Sequence, residues 1–416
     1  MFTRAGAPCA RRLCCLRAHG AGRNCVTYAA SFEFSLPSEG IVFGVGAAAQ
    51  TGPRTAGIGA KHVMLMTDKV VRGTGIVDGI EKSLRDAGLA VSVWDDVVTE
   101  PTLPAVAAAV EYCKSGEYDT LVAVGGGSTL DSAKATSTIV ANGGSFMDYV
   151  DPTRAATLKR GPRLVLLATT SGTGADMTRG AGAIDPATGI KHWLIARFRS
   201  NVTICDPELT RGAPAHVTAV AGTDALTQAV ESYTNRRHNP MADLLNLEAV
   251  RICGRYLRRA VANGEDMEAR SAMMYAASVL VGLGFGNAGL HIVHPVSQVV
   301  GDRYRIPHGL SLGLLLPYLL EFSLNGCVEK LVDVAEALGV PTEGLSDRDV
   351  AQRGIDAIRQ LLVDVGTHRP LREFGATAEV LDSLADDYAK RPPDLANAPR
   401  PIRSAAELRE IFRLAL

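Results

Sequence analysis

Asp224 and Gln228 stand four residues apart in the run GTDALTQAVE, so a helix there presents both on one face. His291 and His294 follow about one helical turn apart, and His308 completes the set in Pro307-His308-Gly309. A carboxylate, an amide oxygen and imidazoles that converge in a helical core make a site for a divalent metal. Such an ion acts as a Lewis acid on an alcohol or carbonyl oxygen. Taken singly, each histidine serves equally well as a hydrogen-bonded core or surface residue. Flanking glycines and a stretch without charges set His294 and His308 apart from His62, His192, His216, His238 and His368. For His291 two roles stay open: a proton carrier or substitute ligand, and a packed core residue.

A second chemistry is written in glycine. Gly125-Gly126-Gly127-Ser128 follows the apolar run LVAV and precedes a helical stretch, Leu130–Ala141. Backbone without side chains comes close to a phosphate, and the free amides of a helix N-terminus bind its charge. The same residues also suit a ligand-free tight turn; the turn itself is not a GxGxxG, and no GK[ST] follows it. Thr169-Thr170-Ser171-Gly172-Thr173-Gly174 forms a second such turn after another apolar run. Turns at successive strand ends of one sheet share the edge where α/β domains bind ligands. Asp68 closes the run HVMLMT. There it either accepts hydrogen bonds from an adenosine ribose, which favours NAD over NADP, or caps a helix.

These residues need a sheet to present the turns and a helical bundle to gather the metal donors. In the first half, His62–Thr67, Val91–Trp94, Thr120–Val124 and Leu164–Ala168 read as strands, with helices at Gly75–Ala87 and Pro104–Ser115. That alternation implies a parallel sheet covered by helices. After about Asp206 the rhythm becomes helical: Val217–Tyr233, Pro240–Val261, Met267–Val281, Gly309–Phe322, Val328–Leu338, Asp347–Val365 and Thr377–Ala389. Ser404 and Glu407 have capping-box spacing ahead of a last helix. Ser271 to Gly301 lacks Asp, Glu, Lys and Arg, yet its histidines, amides and glycines disfavour a lipid-facing span. It reads as a helix buried in protein and lining the site. The expected division is a leader over 1–32, an α/β domain over 33–206 and an all-helical domain over 207–416.

With 416 residues, 47% of them hydrophobic, the chain can bury the cores of two domains. Its 43 basic and 44 acidic residues nearly cancel and aromatics are only 5%, which argues against nucleic acid as a partner. Cys113, Cys205, Cys253 and Cys327 are scattered without metal spacing and read as buried small hydrophobes. Met1 to Phe32 has no Asp or Glu but contains Arg4, Arg11, Arg12, Arg17 and Arg23. That composition is expected of an organellar transit peptide and a mitochondrial matrix location, with an address-free extension in the cytoplasm as the alternative.

The pieces MTDK, EPT, AVGGGSTLDSAKA, ATTSGTGAD, ICDPELT, GTDALTQAVESYT, GFGNAGLHIVHPVSQVVG and IPHGLS occur in this order from Phe34 to Leu320. In them the chain resembles the iron-containing (group III) alcohol dehydrogenase family. FEF, RYLRRAV…DMEARS and GFGNAG are most similar to the family's mitochondrial hydroxyacid-oxoacid transhydrogenase branch. The resemblance implies an α/β, Rossmann-like N-terminal domain with a parallel sheet and an all-α C-terminal domain, with metal and substrate in the cleft. It implies Asp68 at the adenosine ribose, Gly126, Gly127, Ser128 and Asp131 around the pyrophosphate, and Thr169, Thr170 and Thr173 lining the cofactor. Lys191 matches a family lysine near the ribose. Asp224, His294, His308 and residue 228 would hold Fe(II) or Zn(II), and a homodimer is expected.

The sequence departs from that pattern at Gln228 and Gln298, where the family usually has His. An amide oxygen is a harder, weaker ligand than imidazole, so the identity and occupancy of the metal are open. Three functions compete: an NAD-dependent dehydrogenase acting on an alcohol or hydroxyacid, a transhydrogenase that retains its NAD, and a nucleotide-binding paralogue without catalysis. Candidates for catalysis are His291, His294 and His308. A carboxylate on the small-molecule substrate would want a cation, for which Arg179, Arg303 and Arg305 are candidates.

Overall fold

The computed structural model describes residues 31–237, 239–390 and 397–416. Residues 1–30 of the Arg-rich leader, with its four cysteines, lie outside the described residues, as do His238 and residues 391–396 of the proline-rich stretch. The strands are β1 (Ile41–Phe43), β2 (His62–Met66), β3 (Ala90–Trp94), β4 (Thr120–Gly125), β5 (Arg163–Ala168), β6 (Gly180–Ile184), β7 (Lys191–Ile195) and β8 (Val202–Cys205). Six of them form one sheet in the order β1-β8-β5-β4-β2-β3, every pair parallel.

Side chains alternate across that sheet, and both faces are covered. Val63, Leu65, Val122, Val124, Val165 and Leu167 pack on one side with Val77, Ile80 and Leu84 of the helix Ile76–Asp86. Met64, Met66, Leu121, Ala123, Leu164 and Leu166 pack on the other with Ala109, Cys113, Leu130 and Ala133. A sheet buried on both faces needs unbroken apolar strands, which is why these runs are legible in the sequence. The antiparallel hairpin β6–β7 stands apart from the sheet. It lacks a strand signature because GAGAI is built from small residues.

The last sheet strand ends at Cys205, and after a short turn the helix Ala215–Thr234 opens the helical half. This helix is buried over most of its surface, including Asp224, Gln228 and Glu231. Two boundaries differ from the sequence expectation. The helix expected at Leu130 starts at Gly127, with Gly126 as its N-cap and Gly125 still in β4. The uncharged stretch Ser271–Gly301 is not one helix. It is shared by the helix Met267–Ala288 and the helix Val293–Tyr304, broken at Gly289, whose φ is +85°. Met267–Ala288 has the length and apolarity to cross a membrane, but 61% of its most apolar window is buried inside the protein. Cys113, Cys205, Cys253 and Cys327 are all free and buried.

Candidate active site

Three site elements leave the same edge of the sheet. Asp68 follows β2, the triple glycine ends β4, and the Thr169–Gly174 turn follows β5, on three neighbouring parallel strands. Gly126 caps the helix Gly127–Asn142 without any side-chain hydrogen bond to its first amides. Those amides are therefore available to an anion, and the helix dipole favours one there. A Cβ on Gly126 would meet nothing nearer than the Thr170 side chain at 3.9 Å, so open space lies in front of it. A Cβ on Gly127 would lie 3.0 Å from Thr173 Cγ2 and 3.1 Å from Oγ1, so the two turns touch.

The second turn lies directly on the helical half. A Cβ on Gly172 would be 2.9 Å from Ala221 Cα, and one on Gly174 would be 2.6 Å from Gly282 Cα. Backbone packs on backbone at both points, which only glycine permits. The approach at Gly282 falls just after the π-helical segment Tyr275–Val281 of its helix. One turn beyond Ala221 comes Asp224. Gln228 Nε2 donates to Asp224 Oδ1 at 2.9 Å and reaches the Thr173 carbonyl at 3.5 Å. Residue by residue, Gly127, Thr173, Gln228 and Asp224 thus connect the glycine turn to the metal donors with no intervening layer.

Asp224, His294 and His308 each aim one donor atom into a common space, all within 4.8 Å of one another. His294 Nε2 lies 3.5 Å from Asp224 Oδ1, and the two imidazole centroids are 5.4 Å apart. His294 Nε2, His308 Nδ1 and Gln228 Oε1 are buried without a hydrogen-bond partner. Buried polar atoms are seldom left so, and unpartnered atoms on His294, His308 and the adjoining Gln228 suit a bound cation. Burial pushes His308 down to about 4; Asp224 opposes that, while His294 and Lys191 add to it. Burial would lower His294 too, but Glu231 and Asp224 outweigh it and hold the ring up at about 9. The space therefore attracts positive charge, and His308 keeps an unprotonated nitrogen for a metal.

Glu231 is the site residue that the sequence reading missed. It lies on the same helix as Asp224 and Gln228, and the i, i+4, i+7 spacing was the available signal. Its Oε2 meets His294 Nδ1 at 2.5 Å, and its Oε1 accepts the backbone amides of His291, Val293 and His294. Burial would raise its carboxyl, but the neighbouring His294 charge holds it below the ordinary range.

Other expected residues take different places. His291 is buried away from the donors: its Nε2 pairs with Thr234 Oγ1 at 3.0 Å, and burial pushes it down to about 4. It is not among the clustered donors and meets Glu231 at 3.9 Å on the other side. Asp131 does not face the glycine turn. Its Oδ2 accepts the Gly182 amide at 2.9 Å, and its Oδ1 pairs at 2.9 Å with Lys134, whose side chain is 1% exposed. That buried pair fastens the helix to the β6–β7 hairpin, which carries Lys191. Lys191 lies 5.2 Å over the Trp193 ring, with its charge felt at His308. Ser128 Oγ accepts the Glu100 amide at 3.1 Å, and Thr169 donates its amide to Gly125. Asp68 caps the helix Lys69–Gly73, its Oδ1 accepting the amides of Val70 and Val71 at 2.9 Å. Gln298 donates along its own helix to Asp302. Arg303 and Arg305 are exposed around the end of that helix, and Arg179 lies near the buried Arg199. No contact among the described residues brings any of these three to the donors.

Two family models match the chain, "Iron-containing alcohol dehydrogenase" over residues 38–207 and "Fe-containing alcohol dehydrogenase family, C-terminal" over 218–415. Long-chain-alcohol dehydrogenase 1 of Geobacillus thermodenitrificans (strain NG80-2) is 37% identical over 376 residues, 89% of this chain and 94% of that protein. The NAD-dependent methanol dehydrogenase of Bacillus methanolicus is 35% identical over 85% of this chain and 92% of its own length. A crystal structure of 1,3-propanediol oxidoreductase superposes with a TM-score of 0.87 at 34% identity, over 93% of this chain and 100% of that one.

Proposed function

Because the chain belongs to the iron-containing alcohol dehydrogenase family, we propose that this oxidoreductase interconverts an alcohol or hydroxyacid and its aldehyde or ketone with NAD and a divalent metal. The observation that carries this reading is the unbroken contact from Gly127 through Thr173 and Gln228 to Asp224. A dinucleotide on the glycine turn and an ion among the donors would share one crevice. When bound, a divalent ion supplies Lewis acidity and the nicotinamide supplies a hydride acceptor.

The chain's own residues supply position and charge. Asp224, His294 and His308 would hold the ion, with Gln228 as a candidate fourth donor through its Oε1; this mixed nitrogen and oxygen set suits Fe(II) or Zn(II). The Gln228 amide group meanwhile fixes Asp224. The amides of Gly127 and Ser128 would take the pyrophosphate, while Thr170 and Thr173 would line the cofactor. Asp68 keeps Oδ2 for a ribose hydroxyl, since its cap bonds use only Oδ1. Lys191 offers its ammonium to the cofactor ribose from the hairpin side.

Two substitutions test the cofactor half. Gly126→Val fills the open space in front of the turn without striking the fold. We expect unchanged thermal stability and NAD affinity reduced at least about tenfold in a fluorescence titration; unchanged affinity would refute the pyrophosphate assignment. Asp68→Asn keeps the helix cap, because Asn caps as well as Asp. It should raise the KM for NAD several-fold and narrow the preference over NADP. An unaltered NAD/NADP ratio would leave Asp68 a helix cap alone.

The dehydrogenase reading is favoured over transhydrogenation because the similar proteins named above are dehydrogenases. Metal-loaded protein should reduce added NAD, followed at 340 nm, on members of an alcohol and hydroxyacid panel. Turnover that needs an oxoacid acceptor and ignores added NAD would replace this reading with the transhydrogenase. Nucleotide binding with neither metal uptake nor turnover would replace it with the non-catalytic paralogue.

A further inference from the structure

We propose that Glu231 is a positioning residue for the metal: it fixes the tautomer of His294 and also sets where that histidine's helix begins. The inference rests on the metal reading of Asp224, His294 and His308. Glu231 is wholly buried, yet both of its oxygens are engaged. Oε2 lies 2.5 Å from His294 Nδ1. An ionised carboxylate only accepts, so the imidazole proton must sit on Nδ1. Nε2 is then the nitrogen left to give up its proton and take a metal. That atom is the buried, unpartnered one, and it faces Asp224 Oδ1 at 3.5 Å.

The other oxygen does separate work on the backbone. Oε1 accepts the amides of His291 at 2.7 Å, Val293 at 3.0 Å and His294 at 3.4 Å. These are amides at the start of the helix Val293–Tyr304, which no side chain of its own N-cap residue satisfies. Glu231 therefore replaces the missing cap from a different helix. It holds the chain break after Gly289 so that His294 enters in its first turn. Glu231 and Asp224 project from one helix and meet the same imidazole at its two nitrogens. One rigid element thus sets both a ligand and the orientation of its neighbour, an arrangement that tunes metal affinity through the outer shell.

Glu231→Gln separates the two tasks. A carboxamide oxygen can still accept the helix amides, but its nitrogen then donates toward Nδ1. The ring must accept there and carry its proton on Nε2, which cannot bind a metal. The test titrates the full-length apoprotein with Zn2+ against a fluorescent chelator and with Co2+ by visible absorption, both without NAD. Wild type should take up one equivalent, and E231Q should bind each metal about 10- to 100-fold more weakly with an apo Tm near that of wild type. Glu231→Asp keeps the charge but withdraws it by one methylene, and should fall between them; it serves the same comparison if E231Q does not fold. Metal binding by the variants within about twofold of wild type, even with a lowered apo Tm, would overturn the inference and leave Glu231 a structural cap. A wild type that binds neither ion would instead overturn the metal reading on which it rests.

Discussion

Replacing His308 by alanine is expected to lower turnover about 10³-fold or more while leaving the fold and NAD binding in place. A Lewis acid at a developing negative oxygen is worth several kcal/mol, and each 1.4 kcal/mol is tenfold in rate. Without His308 the cluster retains one carboxylate, one imidazole and the weak amide oxygen of Gln228, too little to keep an ion against solvent or a chelator. Stability should change little, because His308 Nδ1 is already buried without a partner and its removal leaves no new unsatisfied group. NAD affinity should stay within about twofold of wild type, since the glycine turn meets the cluster through Thr173 and Gln228 and not through His308. Steady-state assays, elemental analysis and a nucleotide titration on one preparation check all three. A metal-free H308A protein with wild-type turnover would refute the proposed chemistry.

The second large effect is expected one residue along, at Gly309. A Cβ there would lie 2.2 Å from the Val220 carbonyl oxygen and 3.0 Å from its carbon. The obstacle is backbone in the second turn of the Ala215–Thr234 helix, so no rotamer change relieves it. The helix His308–Ser323 would have to lift away and take its first residue, the ligand, with it. Overpacking of this kind costs about 1–3 kcal/mol and sometimes more, and a rigid backbone neighbour puts Gly309→Ala at the upper end. Thermal denaturation should show a fall of roughly 5–10 °C. Metal titration should show an affinity reduced at least about tenfold. The variant therefore loses stability and metal together, whereas H308A loses metal alone. A G309A protein with wild-type Tm and metal affinity would contradict this packing.

The contrast between these neighbours shows what could be read in advance. His294 and His308 were legible because few residue types bind metals, with His294 inside the uncharged stretch and His308 flanked by Pro307 and Gly309. The apolar runs of β2, β4 and β5 were legible because a doubly covered sheet leaves no polar positions to confuse the pattern. Glu231 was legible only through its helical spacing to Asp224 and Gln228, a weak signal. A glutamate on a helix usually faces water, and only the fold shows this one buried beneath a helix that starts sixty residues later. The hairpin β6–β7 escaped because its buried face is built mostly from alanines, Ala181 and Ala183 beside Leu194, which carry little strand signal. The Asp131–Lys134 pair explains why Asp131 faces away from the turn whose motif contains it. The break at Gly289 was obscured for a related reason. An uncharged stretch looks continuous until the carboxylate that caps its second half is located.

Crystals grown with NAD and Zn2+, with anomalous data collected at the zinc edge, test the central claim most directly. The expected result is an anomalous peak among Asp224, His294 and His308, with the nicotinamide ring facing it and the pyrophosphate on the Gly126–Gly127 turn. A peak elsewhere, or a nicotinamide directed away from that peak, would contradict it.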